Sequence, residues 1–201
     1  MQYNKSYFLF VLLFFFNFSS YSQKNTNVEI QLQKRKNEIR VDILKKSIND
    51  RLELNYERFL NTKFSVGIST TFLEGKFVKN DFKNLIATKY INEYQIVPFF
   101  RYSFSHKNYQ SNWYAEAFSS INGGYYKNLE RIEENSIAFY DEVQKKYTNI
   151  GLGASIGYKF YIIKRIAVDM HFGAGGQLNN QTNQVPDGIT RIGLDVGYRF
   201  Y

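Results

Sequence analysis

The sequence predicts an all-β chain, an eight-stranded antiparallel up-and-down transmembrane β-barrel. Three observations carry that expectation. Apolar and polar residues alternate with a period of two through most of the chain, and a strand sends successive side chains to opposite faces, so each segment has one oily and one polar side. The connections after the second, fourth and sixth segments are short, while those after the third, fifth and seventh are long, the sorting of a barrel with tight turns at one end and loops at the other. The chain closes on Ile189–Tyr201, where Ile192, Leu194, Val196, Tyr198 and Phe200 alternate with Arg191, Gly193, Asp195, Gly197 and Arg199.

Composition narrows the class. Aromatics make up 18%, with 19 Phe and 17 Tyr against one Trp, and mean hydropathy is -0.42. After the leader no stretch is apolar for the length of a membrane helix, yet a barrel dilutes its mean hydropathy with lumen-facing residues. With no cysteine, disulfide scaffolds, thiol chemistry, Cys-ligated metals and an acylated lipoprotein anchor are excluded. The net charge of +8 does not gather into a patch, so no nucleic-acid partner is expected. The tightest basic cluster, Lys34-Arg35-Lys36, reads as a solvated flank.

In order, residues 1–22 read as a secretory signal: Lys5, an apolar run from Tyr7 to Phe18, and small residues at Ser20 and Ser22. Residues 23–37 are a polar lead-in, with Val28, Ile30 and Leu32 leaving a short extra strand open. The barrel proper is expected over 38–201, its strands at 38–44, 51–59, 63–73, 91–104, 113–124, 147–160, 165–175 and 189–201. The first link, Lys45–Asp50, is short where the sorting calls for a long one. The segments 74–90, 125–146 and 176–188 are expected as loops, the second the most charged part of the chain. Pro98 sits on the apolar parity and suggests a bulge, because it lacks a ladder donor.

The oily faces point to lipid, with interfacial rings at Tyr56, Phe59, Phe64, Tyr102, Phe104, Tyr158, Phe160, Tyr198 and Phe200. An eight-stranded barrel has an interior just wide enough for side chains to fill. The polar faces supply a candidate lumen network of Arg40, Asp42, Glu53, Glu57, Arg101, Glu116, Lys159, Asp169, His171, Arg191, Asp195 and Arg199, with Gly67, Gly151, Gly153, Gly157, Gly173, Gly193 and Gly197 leaving room for the long side chains. Charges in a low-dielectric interior must be paired, so these read as a structural plug.

Other motifs weigh less. The run Gly151-Leu152-Gly153-Ala154-Ser155-Ile156-Gly157 lacks the spacing and the following acidic residue of a dinucleotide loop. Asp169-x-His171, with Ser155 on the neighbouring segment, and Ser105-His106 are the only hints of a hydrolytic triad, and they read as polar filler. Glu130, Glu133, Glu134, Asp141 and Glu142 could hold a divalent cation, though a solvated loop is favoured. Two histidines and no cysteine make a metal site unexpected. No catalytic residue, cofactor or metal is therefore expected.

At Leu54-Asn55-Tyr56-Glu57-Arg58-Phe59-Leu60-Asn61, Phe64-Ser65-Val66-Gly67, Gly151–Phe160 and Gly193–Phe200 the sequence resembles the small outer-membrane β-barrel proteins common in Bacteroidetes-type bacteria. There a Y-E-R-x-L-N turn follows the second strand, and G-Y-K-F and G-Y-R-F close later ones. The fold implied is similar to the OmpA transmembrane domain and OmpX, and the location the outer membrane after signal-directed export. The terminal aromatic normally closes on the oily parity, whereas this chain runs one residue further, to Tyr201. Expected partners are outer-membrane lipid and lipopolysaccharide, the barrel-assembly machinery and an extracellular partner met through the long loops, for a monomer. The role expected is structural or surface interaction. Alternatives are a barrel enzyme hydrolysing lipid or peptide and a secreted lipocalin-like ligand-binding barrel.

Overall fold

A computed structural model describes residues 32, 34–49, 51–73, 90–104, 111–134, 137–163, 165–179 and 184–201. The leader 1–22, most of the lead-in with the extra strand weighed there, the segment 74–89 and the Ser105-His106 pair lie outside the described residues. The elements are β1 (Asn37–Asp42), α1 (Ile43–Asn49), β2 (Arg51–Phe59), β3 (Phe64–Leu73), β4 (Tyr90–Ser103), β5 (Ser111–Glu134), β6 (Ile137–Ile163), β7 (Ile166–Gln177) and β8 (Gly188–Phe200).

Each strand pairs antiparallel with the next, and β8 returns to β1 to close the barrel. Closure gives every strand a partner on both sides, as a hydrocarbon surrounding requires. The pairing places Arg40 opposite Gly197 and Asp42 opposite Asp195, so one parity of every strand faces the lumen. That face is polar: Glu53, Asn55, Glu57, Ser65, Ser69, Thr71, Ser120, Asn149 and Asp169 are all buried. The opposite face is apolar and exposed, with Ile39, Leu54, Ile68, Phe100, Ile121, Leu152, Ile156, Phe172, Ile192 and Val196 around the circumference. The inversion of ordinary globular polarity makes lipid, not water, the solvent of the wall, and the protein is an outer-membrane-type barrel. A soluble ligand-binding barrel would have the two faces the other way round.

The aromatic rings bracket this belt. At the short-turn end Phe64 lies 5.5 Å from Phe100 and 5.4 Å from Tyr102, Tyr102 meets Phe104 at 5.8 Å, and Trp113 meets Tyr158 at 5.1 Å. Arg165 donates to the Tyr198 hydroxyl at 2.6 Å. On β5 the outward parity runs from Trp113 to Tyr125, beside which Lys146 sits 5.7 Å from the ring centroid. That run spans roughly 40 Å along the strand, or about 30 Å along the membrane normal once tilted, close to a hydrocarbon thickness. Phe59 departs from the girdle expectation: it has the lumen parity, and the Arg199 guanidinium stacks on it 3.6 Å from the centroid.

Three further departures have physical causes. The strand expected at 38–44 ends at Asp42 and the short turn after it is a helix. Asp42 Oδ1 accepts from the Leu44 and Lys45 backbone N–H groups at 2.8 and 3.0 Å, an N-cap that turns the chain from strand to helix. The charged segment 125–146 is not a loop. It continues β5 and β6 as a paired ribbon, from Tyr125↔Lys146 to Glu134↔Ile137. The irregularity of β4 lies between Asn92 and Tyr94, where Glu93 is the extra residue, and not at Pro98, which pairs with Ile68 in unbroken register.

Candidate functional site

The lumen is the site, and glycines shape it. Gly67 lies opposite Phe99, Gly153 opposite Phe118, Gly157 opposite Tyr114, Gly193 opposite His171 and Gly197 opposite Arg40. A Cβ on any of these would come within 2.3 Å of the facing side chain. Without it, each large side chain folds flat across its neighbouring strand. The flattened rings become platforms for cations. Arg101 sits between Phe99 and Tyr114, 4.5 and 4.2 Å from their centroids, and Arg191 lies over Phe99 and Phe118 at 5.7 and 5.6 Å.

The cations then meet carboxylates from other strands. Glu57 is the hub: its Oε2 accepts from Arg40 at 2.5 Å, Lys159 at 2.6 Å and Arg101 at 2.9 Å, and its Oε1 from Ser65 at 2.6 Å. Asp169 accepts from Arg101 and from the Tyr114 hydroxyl, each at 2.6 Å. Glu38 accepts from Arg40 at 2.5 Å, Lys159 at 2.8 Å and the Tyr161 hydroxyl at 2.6 Å. Toward the loop end Glu116 joins Arg101 at 2.6 Å to Arg191 and Ser155, both at 2.8 Å. Glu53 accepts from Thr71 at 2.7 Å and from Lys45 of α1. Asp195 lies 3.3 Å from both Arg40 Nε and Asn55 Nδ2.

All twelve residues singled out from sequence are buried on the lumen side, and nine of them stand within this cross-strand web, while Asp42 caps α1 and His171 makes no hydrogen bond among the described residues. Arg199 joins the web only through a hydroxyl, bonding the Arg35 carbonyl at 2.8 Å and, at 2.7 Å, the Tyr161 hydroxyl that donates to Glu38. Among the described residues the buried charged side chains comprise seven carboxylates and six Arg or Lys cations. The sequence reading missed Glu38, Asn55, Tyr114 and Tyr161 as members. Glu38 shares the parity of Arg40, and Tyr161 the parity of Lys159, so extending each strand by one alternation finds both. Arg35 belongs to the basic cluster read as a solvated flank. It is instead buried, while Lys34 and Lys36 are exposed.

The hydrolytic alternative gains no geometry. Ser155 donates to Glu116, and the His171 nitrogens have no hydrogen-bond partner among the described residues; its Nδ1 is 3.9 Å from Asp195. A Ser–His–Asp relay needs those groups to converge. Three acidic residues of the β5–β6 ribbon are engaged in ion pairs: Glu142 with Lys127 at 3.0 Å, Glu133 with Arg131 at 2.9 Å and Glu130 with Lys145. No group of three or more metal-ligating side chains converges among the described residues.

Among solved structures, the N-terminal β-barrel domain of Pseudomonas aeruginosa OprF is 15% identical, covering 83% of this chain and 98% of that one, with a TM-score of 0.47. Neisserial surface protein A is 14% identical over 82% of this chain and 94% of that one, at 0.43. The Yersinia pestis outer membrane protein Ail, in a phospholipid bilayer nanodisc, is 15% identical over 83% and 100%, at 0.41. None of the curated proteins matches the chain. Residues 9–186 match the family described as "Protein of unknown function (DUF3575)", and the chain belongs to that family.

Proposed function

We propose that this member of the family serves a structural and surface-interaction role, as a plugged outer-membrane pedestal that carries a β-ribbon beyond the bilayer. The observation that carries the reading is the length of β5 and β6, 24 and 27 residues. β4 pairs with β5 only as far as Tyr126, and β7 with β6 only from Gly151, yet β5 and β6 stay paired to Glu134↔Ile137. The stretch from Lys127 to Glu134 adds roughly 25 Å of strand past the aromatic boundary. A lumen crossed by ion pairs supports a plug over a pore.

Residues 1–22 are the export leader in this reading, and 38–201 the barrel delivered to the assembly machinery. Its wall meets lipid and lipopolysaccharide as a monomer, and the ribbon meets an extracellular partner. Trypsin added to intact cells tests it. Lys127, Arg131, Lys145 and Lys146 should be cleaved from outside while the barrel resists. Cleavage seen only after the outer membrane is opened would overturn the outward display. In planar bilayers the purified protein should give no stepwise conductance, and steady open-channel currents would overturn the plug.

A further inference from the structure

Four of the buried strand cations, Arg40, Arg101, Lys159 and Arg191, each hold a carboxylate at 2.8 Å or less. Arg199 is different. It is 5% exposed, and its hydrogen bonds go to neutral acceptors: Nε donates to the Arg35 carbonyl and an Nη to the Tyr161 hydroxyl. Its guanidinium lies on Phe59, with the Tyr161 ring 5.4 Å away. No carboxylate lies within ion-pair distance of it among the described residues; Glu38 acts on it only through the Tyr161 hydroxyl, which accepts from Arg199 and donates to Glu38. A guanidinium removed from water needs a counter-charge, and its planar fork matches a two-oxygen anion.

Arg199 also lines a recess at the short-turn mouth, together with Phe59, Lys63, Tyr161, Arg101 and Lys159. Glu57 is the one carboxylate in the described lining, and Arg40, Arg101, Lys159 and Ser65 already occupy its oxygens. That leaves Arg199 and Lys63 as cations for a visitor, between the aromatic walls of Phe59 and Tyr161.

The geometry points to an oxyanion-binding site at the short-turn mouth, in which a carboxylate or phosphate group takes the Nη–H groups of Arg199 that the Arg35 carbonyl and Tyr161 hydroxyl leave over, with Lys63 as second cation. It rests on the barrel reading only for its side: the short-turn mouth of an outer-membrane barrel faces the periplasm. The ligand is therefore a periplasmic anion, either inorganic phosphate or the carboxylate end of a small peptide.

The purified full chain in detergent micelles, titrated while the arginine Nε–H resonances are followed by NMR, tests the site without reference to location. Inorganic phosphate and N-acetyl-alanine are the two probes, with sodium chloride at matched ionic strength as reference. A saturable shift of the Arg199 resonance with either probe supports the site, and the tighter probe identifies the source. Arg199→Gln should weaken binding at least tenfold, the loss of a charge-assisted pair of hydrogen bonds. Lys63→Gln should weaken it less, and Lys145→Gln on the ribbon should leave it unchanged. If Arg199→Gln fails to fold, the wild-type titration and Lys63→Gln decide alone. An Arg199 resonance that stays still with both probes, or follows chloride equally, overturns the proposal; so does an affinity that Lys63→Gln leaves untouched.

Discussion

The lumen and the β5–β6 ribbon use the same chemistry, Arg or Lys against Glu, in opposite surroundings. In the lumen Glu57 is 1% exposed and receives three cations. On the ribbon Arg131 and Glu133 form a pair of similar length, 2.9 Å, with side chains 61% and 68% exposed. Coulomb attraction falls severalfold from a protein interior to water, and exposed pairs also give up side-chain freedom. A buried carboxylate is different in kind, because removing it strands several cations where water cannot reach them. Bond length alone therefore says nothing about what a pair contributes. The ribbon is held by its backbone ladder, whereas the barrel interior is held by mutual neutralisation.

The contrast can be broken most directly at Glu57. Glu57→Gln keeps the shape and removes the charge that Arg40, Arg101 and Lys159 share. The expected loss is about 3–5 kcal/mol, measured by urea unfolding in lipid vesicles. A loss near zero would mean that the lumen is wet, and the two regions would then be alike. The walls give the next effect. Ile156→Arg, on the lipid face of β6, should cost about 2–4 kcal/mol, while Leu129→Arg, on the outward face of the ribbon and 69% exposed, should stay within about 0.5 kcal/mol. Equal effects at the two positions would erase the boundary drawn between them. Gly153→Ala comes third. Its Cβ would meet Phe118 Cζ at 2.3 Å and push the ring off its platform beneath Arg191, at about 1–3 kcal/mol. Gly188→Ala, with nothing within 4 Å of the new atom, serves as its control.

The same contrast explains what could be read in advance. Where one face met lipid and the other the lumen, as at Ile150–Phe160 or Ile192–Phe200, the period of two was strong, and it located the strands and the twelve lumen residues together. Past Tyr125 and Lys146 neither face meets lipid or core. Leu129, Arg131 and Glu133 share a face with Tyr140, Glu142 and Gln144, so no oily parity remains for a pattern to follow, although the ladder continues. The helix α1 was hidden for another reason. Ile39, Val41 and Ile43 keep the strand alternation into a residue that is already helical, and the signal was Asp42 as a cap. Phe59 was assigned to lipid by its chemistry, while its parity, one step on from Glu57, placed it inside. The platforms formed by Phe99, Phe118 and Tyr114 depend on glycines one strand away, a pairing that only the register reveals.

The smallest effect belongs to Glu130 and Lys145, and it sharpens the comparison because it should be local. The hydrogen bond from Lys145 holds the Glu130 carboxyl below the usual carboxylate range, and both groups are solvent-exposed. A carboxyl whose folded pKa is depressed adds order above its unfolded pKa and loses that contribution as pH falls through the lowered value. The ribbon ends should therefore loosen only in that acidic window, while urea unfolding of the barrel at neutral pH is unchanged by Glu130→Gln. NMR titration of Glu130 should show its midpoint returning toward the ordinary range in Lys145→Met, and drifting the same way in high salt, because solvent-exposed charges are screened. A midpoint indifferent to both changes would mean that the pair does not form in solution. A shift in the global unfolding midpoint would mean that the ribbon is coupled to the lumen after all.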